Sequence, residues 1–282
     1  MWMSRQEGTA ALRAREETGG RGGDQRRAAV TDTPVPGCPR RVHRAQAWWA
    51  SARTLGSVLL ERDAENEVAY ELCQLLGRAI LPLRPGGDGP AGTAFFFRHA
   101  AGEFLLTADV LTHAETVEVG LRPSVTEPAG VAGDVLRLPA RWWVHRPAVG
   151  VATLPTGGLH ERAAAEGWRW RTQPVPAVVA AGADDVARIG AQEVSAVVLA
   201  LGVRDDGSRP LEVAVERVVR ADDGLRLTGE LPVGYVGAPV FALRPDAAGE
   251  VGLRCLGVVL PGEEGHPVAT FDRIVADLPP VD

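Results

Sequence analysis

From about residue 79 onward the chain is written in short apolar runs, separated at intervals of about ten residues by glycine, proline and aspartate. The runs are 79–83, 93–98, 103–107, 116–121, 134–138, 142–144, 150–154, 177–180, 194–203, 211–219, 225–228, 240–243 and 253–260. Most are too short for a buried helix and are closed at both ends by turn residues, so they read as strands. No helical periodicity alternates with them, which excludes a doubly wound parallel sheet and leaves a barrel or a sandwich. The composition agrees: 45% of the 282 residues are hydrophobic, and 33 Gly with 21 Pro supply frequent reversals.

Upstream the pattern changes. Over 44–78, Trp48, Leu55, Val58, Leu59, Val68, Leu72, Leu75 and Leu76 recur near helical spacing, with Asp63 or Asn66 placed to cap or divide the run into two helices. Residues 41–78 are therefore expected as a helical extension, with Trp48–Trp49 packing on the barrel or on a partner. Residues 1–40 mix Arg, Glu and Gly without apolar periodicity, and a disordered tail is expected there. Gly86-Gly87-Asp88-Gly89 lacks the Lys-Ser/Thr of a phosphate loop and reads as a flexible connection. Asp205-Asp206-Gly207 and Asp222-Asp223-Gly224 read as hairpin turns.

Charge and composition exclude several function classes. A net charge of −6 gives no electrostatic footprint for nucleic acid. No apolar stretch reaches membrane-spanning length. Residues 1–30 lack an apolar signal core, so a cytoplasmic location without a membrane partner is expected. Cys38, Cys73 and Cys255 are odd in number and far apart, which predicts unpaired thiols in a reducing compartment. His43, His99, His145, His160 and His266 are scattered, without an i, i+4 histidine pair, so neither a metal site nor a cofactor is expected.

Three stretches in order resemble trypsin-like serine peptidases of the chymotrypsin fold. Gly92-Thr93-Ala94-Phe95-Phe96-Phe97 followed by Phe104-Leu105-Leu106-Thr107-Ala108 is similar to the family's first hairpin, which leads into the element carrying the general base. Val144 to Ala152 resembles the strand entry that carries the orienting aspartate. Gly234-Tyr235-Val236-Gly237-Ala238-Pro239-Val240-Phe241 is similar to the nucleophile loop. Cys255 to Val259 then resembles the strand lining the substrate pocket, and Phe271 to Leu278 the closing helix. The resemblance covers about residues 78–280. It implies an all-β, trypsin-like double β-barrel over 79–282, with barrel 1 at about 79–160, barrel 2 at about 170–270, the helical extension in front and a C-terminal helix behind.

The positions that match the triad hold Val110, Gly150 and Val236. Acyl transfer by serine needs a hydroxyl, an imidazole within hydrogen-bond reach and a carboxylate that fixes the imidazole. Valine, glycine and valine supply none of these. No catalytic residue is assigned. A displaced constellation has a start in Asp109 and His113 but lacks a nucleophile: between Ser208 and Cys255 the hydroxyls are Thr228 and the phenol of Tyr235. The resemblance further implies that the backbone N–H groups of Gly234 and Val236 could form an oxyanion-type nest, although Gly234 and Gly237 serve equally well as residues of a tight turn. Val110 and Val236 are expected to make the former catalytic floor apolar, fit for an extended peptide added at a strand edge. The function expected is a catalytically inactive pseudoprotease binding or regulating a protein or peptide partner in a bacterial cell. The alternative is an active serine peptidase-like hydrolase with a relocated site.

Overall fold

The computed structural model describes residues 60–86, 90–190, 192–201, 211–221, 224–245, 251–263 and 265–278. The expected tail over 1–40, the earlier part of the helical extension with Trp48 and Trp49, and both Asp-Asp pairs lie outside the described residues.

Helix α1 runs Arg62–Leu76. Glu65, Ala69, Leu72 and Leu76 fall at alternating spacings of four and three, which places them on one stripe, and all four are buried. Tyr70 and Leu75 fall outside the stripe and are exposed. The strands of the first sheet follow: β1 (Ile80–Pro85), β2 (Gly92–His99), β3 (Gly102–Ala108), β4 (Thr116–Gly120), β5 (Thr126–Glu127), β6 (Val135–Pro139), β7 (Val144–Arg146), β8 (Val151–Pro155), β9 (Arg169–Trp170) and β10 (Val175–Pro176). Their order is β6-β4-β1-β2-β3-β8-β7, antiparallel throughout, with β10 adding a parallel pairing to β2 and with β5 and β9 forming a separate pair. Helices α2 (Gly157–Ala165) and α3 (Ala183–Ala187) lie on the connection to the second unit. There β11 (Val194–Leu201), β12 (Leu211–Ala221), β13 (Gly224–Leu227), β14 (Pro239–Pro245), β15 (Val251–Val259) and β16 (His266–Thr270) close a barrel in the order β11-β12-β13-β16-β15-β14. Helix α4 (Phe271–Ala276) follows directly. The all-β double-barrel architecture is therefore present, with a helix before it and a helix after it.

Strand pleating explains why the central runs read as continuous apolar stretches instead of alternating ones. Leu81, Leu83, Ala94, Phe96, Leu105 and Ala108 face one side, where they meet Val117, Val119, Leu136, Leu138, Ala152 and Leu154 in the core of the first sheet. Ile80, Phe95, Phe97, Phe104 and Leu106 face the other side. There they meet Val197, Leu199, Phe241 and Leu243 of the closed barrel, Phe271 and Ile274 of α4, and Ala69, Leu72 and Leu76 of α1. A third core fills the closed barrel. The central core is rich in rings: Phe97 and Phe271 approach to 4.6 Å between centroids. Burial of each such side chain contributes about 1.5–3 kcal/mol.

Some local expectations change. The run 177–180 is a 3-10 turn over Ala177–Val179, because the extended residues that pair are the two just before it. The link between the first sheet and the closed barrel begins with helix α2. Strand β16 is absent from the expected set, since Pro267 interrupts its apolar run; its pairing to β13 and β15 makes it a barrel strand nonetheless. Trp143, Trp168 and Trp170 are buried in the first-sheet core, whereas Trp142 is exposed.

Two polar clamps fix the helices. Glu65 is 2% exposed; it accepts from Ser195 Oγ at 2.6 Å and pairs with Arg217 at 2.8 Å, which ties α1 to β11 and β12. Just past α4, Asp277 pairs with Arg146 of β7 at 2.6 Å, and within α4 Arg273 donates to the Ala148 carbonyl at 3.3 Å.

Candidate functional site

The backbone brings the three triad-matching segments to one seam. Val110 lies in a 3-10 turn over Asp109–Thr112 directly after β3. The Asp109 N–H donates to the Gly150 carbonyl at 2.9 Å, so the Val110 and Gly150 segments are neighbours. Val236 caps a second 3-10 turn, Val233–Tyr235, and its carbonyl accepts from the Thr93 N–H at 2.8 Å. A methyl built on Gly237 would lie 3.2 Å from the Ala108 nitrogen, which places this loop against the end of β3. Gly150 sits beside Leu260, just beyond β15.

The side chains do not follow. Val236 is 6% exposed and packs within the first-sheet core, while Val110 is 53% exposed and belongs to no core cluster. The shared apolar floor expected of these two valines is therefore not formed: one side chain packs inward, the other meets solvent. Gly150 has φ 78° and Gly237 φ 87°, in the left-handed region where glycine alone is unstrained.

The Gly234–Val236 nest is also closed. The Val236 N–H donates to the Val233 carbonyl at 3.0 Å across the 3-10 turn, and the Gly234 carbonyl accepts from Thr93 Oγ1 at 2.7 Å. An oxyanion needs both N–H groups free and convergent. Here one of them is spent within its own turn, and the turn reading of these glycines describes the loop.

Tyr235 and Cys255 are silenced by burial, whereas the Thr228 hydroxyl is exposed and donates to the Arg217 carbonyl at 3.4 Å. Tyr235 is buried, and its phenol is pushed up to about 12, first by burial and then by Glu212, Cys73 and Glu216. Cys255 is fully buried in β15, and burial pushes its thiol far up; burial raises Cys73 as well. A thiolate is the reactive form. In the native protein at neutral pH, Cys255 is therefore expected to stay unmodified by iodoacetamide and to be alkylated fully after denaturation, as read by intact-mass spectrometry.

One constellation does assemble. Asp109 Oδ1 lies 2.6 Å from His145 Nδ1, and Asp109 Oδ2 lies 3.1 Å from His113 Nε2. The two imidazoles stack at 4.9 Å between centroids with 15° between their planes. In sequence, Asp109 lies near His113 while His145 stands apart among the scattered histidines; the β7–β8 hairpin unites them by setting His145 opposite Ala152. As a hydrolytic relay the cluster is incomplete. Thr112 Oγ1 is 3.5 Å from His145 Nδ1, yet it is buried and donates to the Asp109 carbonyl at 2.8 Å.

A separate groove of about 530 Å³ lies at the other end of the first sheet, between the β2–β3 turn and the start of α2. There burial pushes Glu103 up, but hydrogen bonds and charge from Arg98 and His160 outweigh it and hold the carboxyl below its ordinary range. The groove is lined in part by these internally paired groups and lies at the opposite ends of β3 and β8 from the seam.

No protein-family profile matches this chain, and no curated protein does. Solved structures do. Deg5 aligns over 77% of this chain and 94% of its own at 16% identity and a TM-score of 0.45. A serine endoprotease from Yersinia pestis aligns over 74% of this chain and 64% of its own, at 10% identity and 0.44. The MamO protease domain from Magnetospirillum magneticum aligns over 73% and 98%, at 12% identity and 0.40. These are likenesses of fold. No described helix is long and apolar enough to cross a membrane.

Proposed function

We propose that this chain is a catalytically inactive, trypsin-like pseudoprotease that acts by binding a protein or peptide partner in a bacterial cell. The observation that carries the reading is the state of the nucleophile loop. At the position matching the nucleophile stands a valine that is buried, and its N–H is already bonded to Val233. Neither attack on a carbonyl nor stabilisation of the resulting oxyanion is available from that loop. Support for binding comes from what remains: an ordered two-barrel surface whose recognition elements need no ionisable relay.

The relocated-hydrolase reading draws on the Asp109–His145 contact. Against it stand the buried Thr112 hydroxyl and the two buried thiol and phenol candidates, Cys255 and Tyr235.

The test is labelling by a fluorophosphonate probe. The wild-type chain is expected to show no labelling, and labelling of any residue would overturn the reading. The triple replacement Val110→His, Gly150→Asp, Val236→Ser is expected to remain unlabelled too. Gly150 sits at φ 78°, and a side chain there begins 3.0 Å from Leu260 Cδ1, so an aspartate would be strained and misdirected; the closed nest is untouched by these changes. Partner binding is read separately, by affinity enrichment of a peptide library on the full chain. Absence of any enriched peptide would remove the binding half of the proposal and leave a structural module.

A further inference from the structure

We propose that Asp109, His113 and His145 form a binding site for one divalent transition-metal ion of the zinc class. This goes beyond the pseudoprotease reading and does not depend on it.

Four observations carry the inference. First, the donor set is two imidazole nitrogens and one carboxylate, whose ligand atoms all lie within 4.8 Å of one another. Nitrogen donors select zinc-like ions over calcium or magnesium, which take oxygen. Second, the donors already stand near ligand spacing. With metal–ligand bonds of about 2.0–2.1 Å, donors on a tetrahedral ion lie about 3.3 Å apart. The carboxylate oxygens stand 3.1 Å from His113 Nε2 and 2.6 Å from His145 Nδ1, so an ion replaces the shared protons of these two hydrogen bonds and moves the shorter pair apart by about 0.7 Å. Third, the scaffold is built. The 3-10 turn carrying Asp109 is closed by Thr112 Oγ1 on the Asp109 carbonyl and tied to Gly150 through the Asp109 N–H. His145 sits on β7, whose partner β8 begins at Val151, so both halves of the site are anchored to one strand start. Fourth, access is graded: the Asp109 side chain is 14% exposed, His145 34% and His113 62%.

Two rings held nearly parallel cannot both aim their lone pairs at one ion. Coordination therefore requires the exposed His113 ring to tilt out of the stack, a side-chain rotation that leaves the backbone in place. Three protein ligands leave a fourth position for water, the pattern of an open zinc site.

The experiment uses the full chain after chelator treatment. Cobalt is titrated while its visible ligand-field absorption is recorded, and zinc binding is measured by calorimetry. One ion per chain is expected, with a tetrahedral-type cobalt spectrum. His113→Gln, at the most exposed ligand, is expected to keep the metal-free Tm and to weaken zinc binding about tenfold or more; Asp109→Asn and His145→Gln are expected to do the same to affinity. Zinc is expected to raise the Tm of the wild type more than that of His113→Gln at the same concentration. His160→Gln and Cys73→Ser are expected to bind as the wild type does. Failure of the wild type to bind overturns the proposal. So does binding that survives in both His113→Gln and Asp109→Asn, or binding that is lost in His160→Gln or Cys73→Ser.

Discussion

Gly237→Ala is expected to destabilise the protein by about 3–5 kcal/mol and to lower its Tm by roughly 10 °C. Two costs add. A side chain at φ 87° is strained by about 1–2 kcal/mol in the left-handed region. The new methyl would also start 2.1 Å from the Thr93 carbonyl oxygen and 2.4 Å from Thr107 Oγ1. Neither neighbour can yield cheaply, because Thr107 Oγ1 donates to that same Thr93 carbonyl at 2.7 Å inside the first sheet. Relief must come from moving the 233–237 loop off the end of β3. Gly130→Ala is the control: its φ is 83°, close to that of Gly237, and nothing lies within 4 Å of the added carbon, so it reports the backbone cost alone. Urea unfolding of the two variants measures the difference. Equal destabilisation would mean that the loop is not held against the sheet as described.

Arg217→Ala is expected to cost about 2–4 kcal/mol and to release α1 from the closed barrel. The reason is what it leaves behind. The Glu65 side chain, on the helix stripe that carries Ala69 and Leu72, is 3% exposed; without the guanidinium its hydrogen-bond partner among the described residues is the Ser195 hydroxyl. An uncompensated buried carboxylate is costlier than the pair was favourable, because desolvation persists after the attraction is gone. The double replacement Glu65→Leu, Arg217→Met should therefore recover most of the loss, a non-additive result that a double-mutant cycle reads directly. Limited proteolysis supplies the structural readout: cleavage within 62–76 should accelerate in the single variant and not in the double. Unchanged protection of that segment in Arg217→Ala would show that apolar contacts alone hold the helix.

Much of this architecture is legible in the sequence because strand and turn signals are local. Phe95-Phe96-Phe97 marks a strand buried on both faces, and the Gly-Tyr-Val-Gly-Ala-Pro loop marks its own turns. What escapes is set by tertiary context. The Val236 N–H is spent on Val233 because the preceding residues wind into a 3-10 turn, and no residue type in Pro232-Val233-Gly234-Tyr235 dictates that winding over an open nest. Val110 and Val236 look alike on paper, yet one is solvated and the other in the core, since exposure depends on which way each turn is rolled. His145 meets Asp109 across 36 positions of sequence, and only the hairpin of β7 and β8 closes that distance. Strand β16 escapes because proline is a poor strand former except where its missing donor is tolerated.

The middle core, shared by both barrels, also takes in the first described helix and the last. Domains joined by a slim neck can hinge; here the joint is a buried apolar core that holds Phe95, Phe97, Phe104, Phe241 and Phe271. Helix α4 runs straight on from β16, and its end is pinned to β7 across the seam by Arg146 and Asp277. A protein assembled this way is stiff along the line where its two halves meet. Under the binding role proposed above, a partner would meet a preformed surface, so binding would incur little ordering cost and mutations at the joint would be felt in stability before they were felt in recognition.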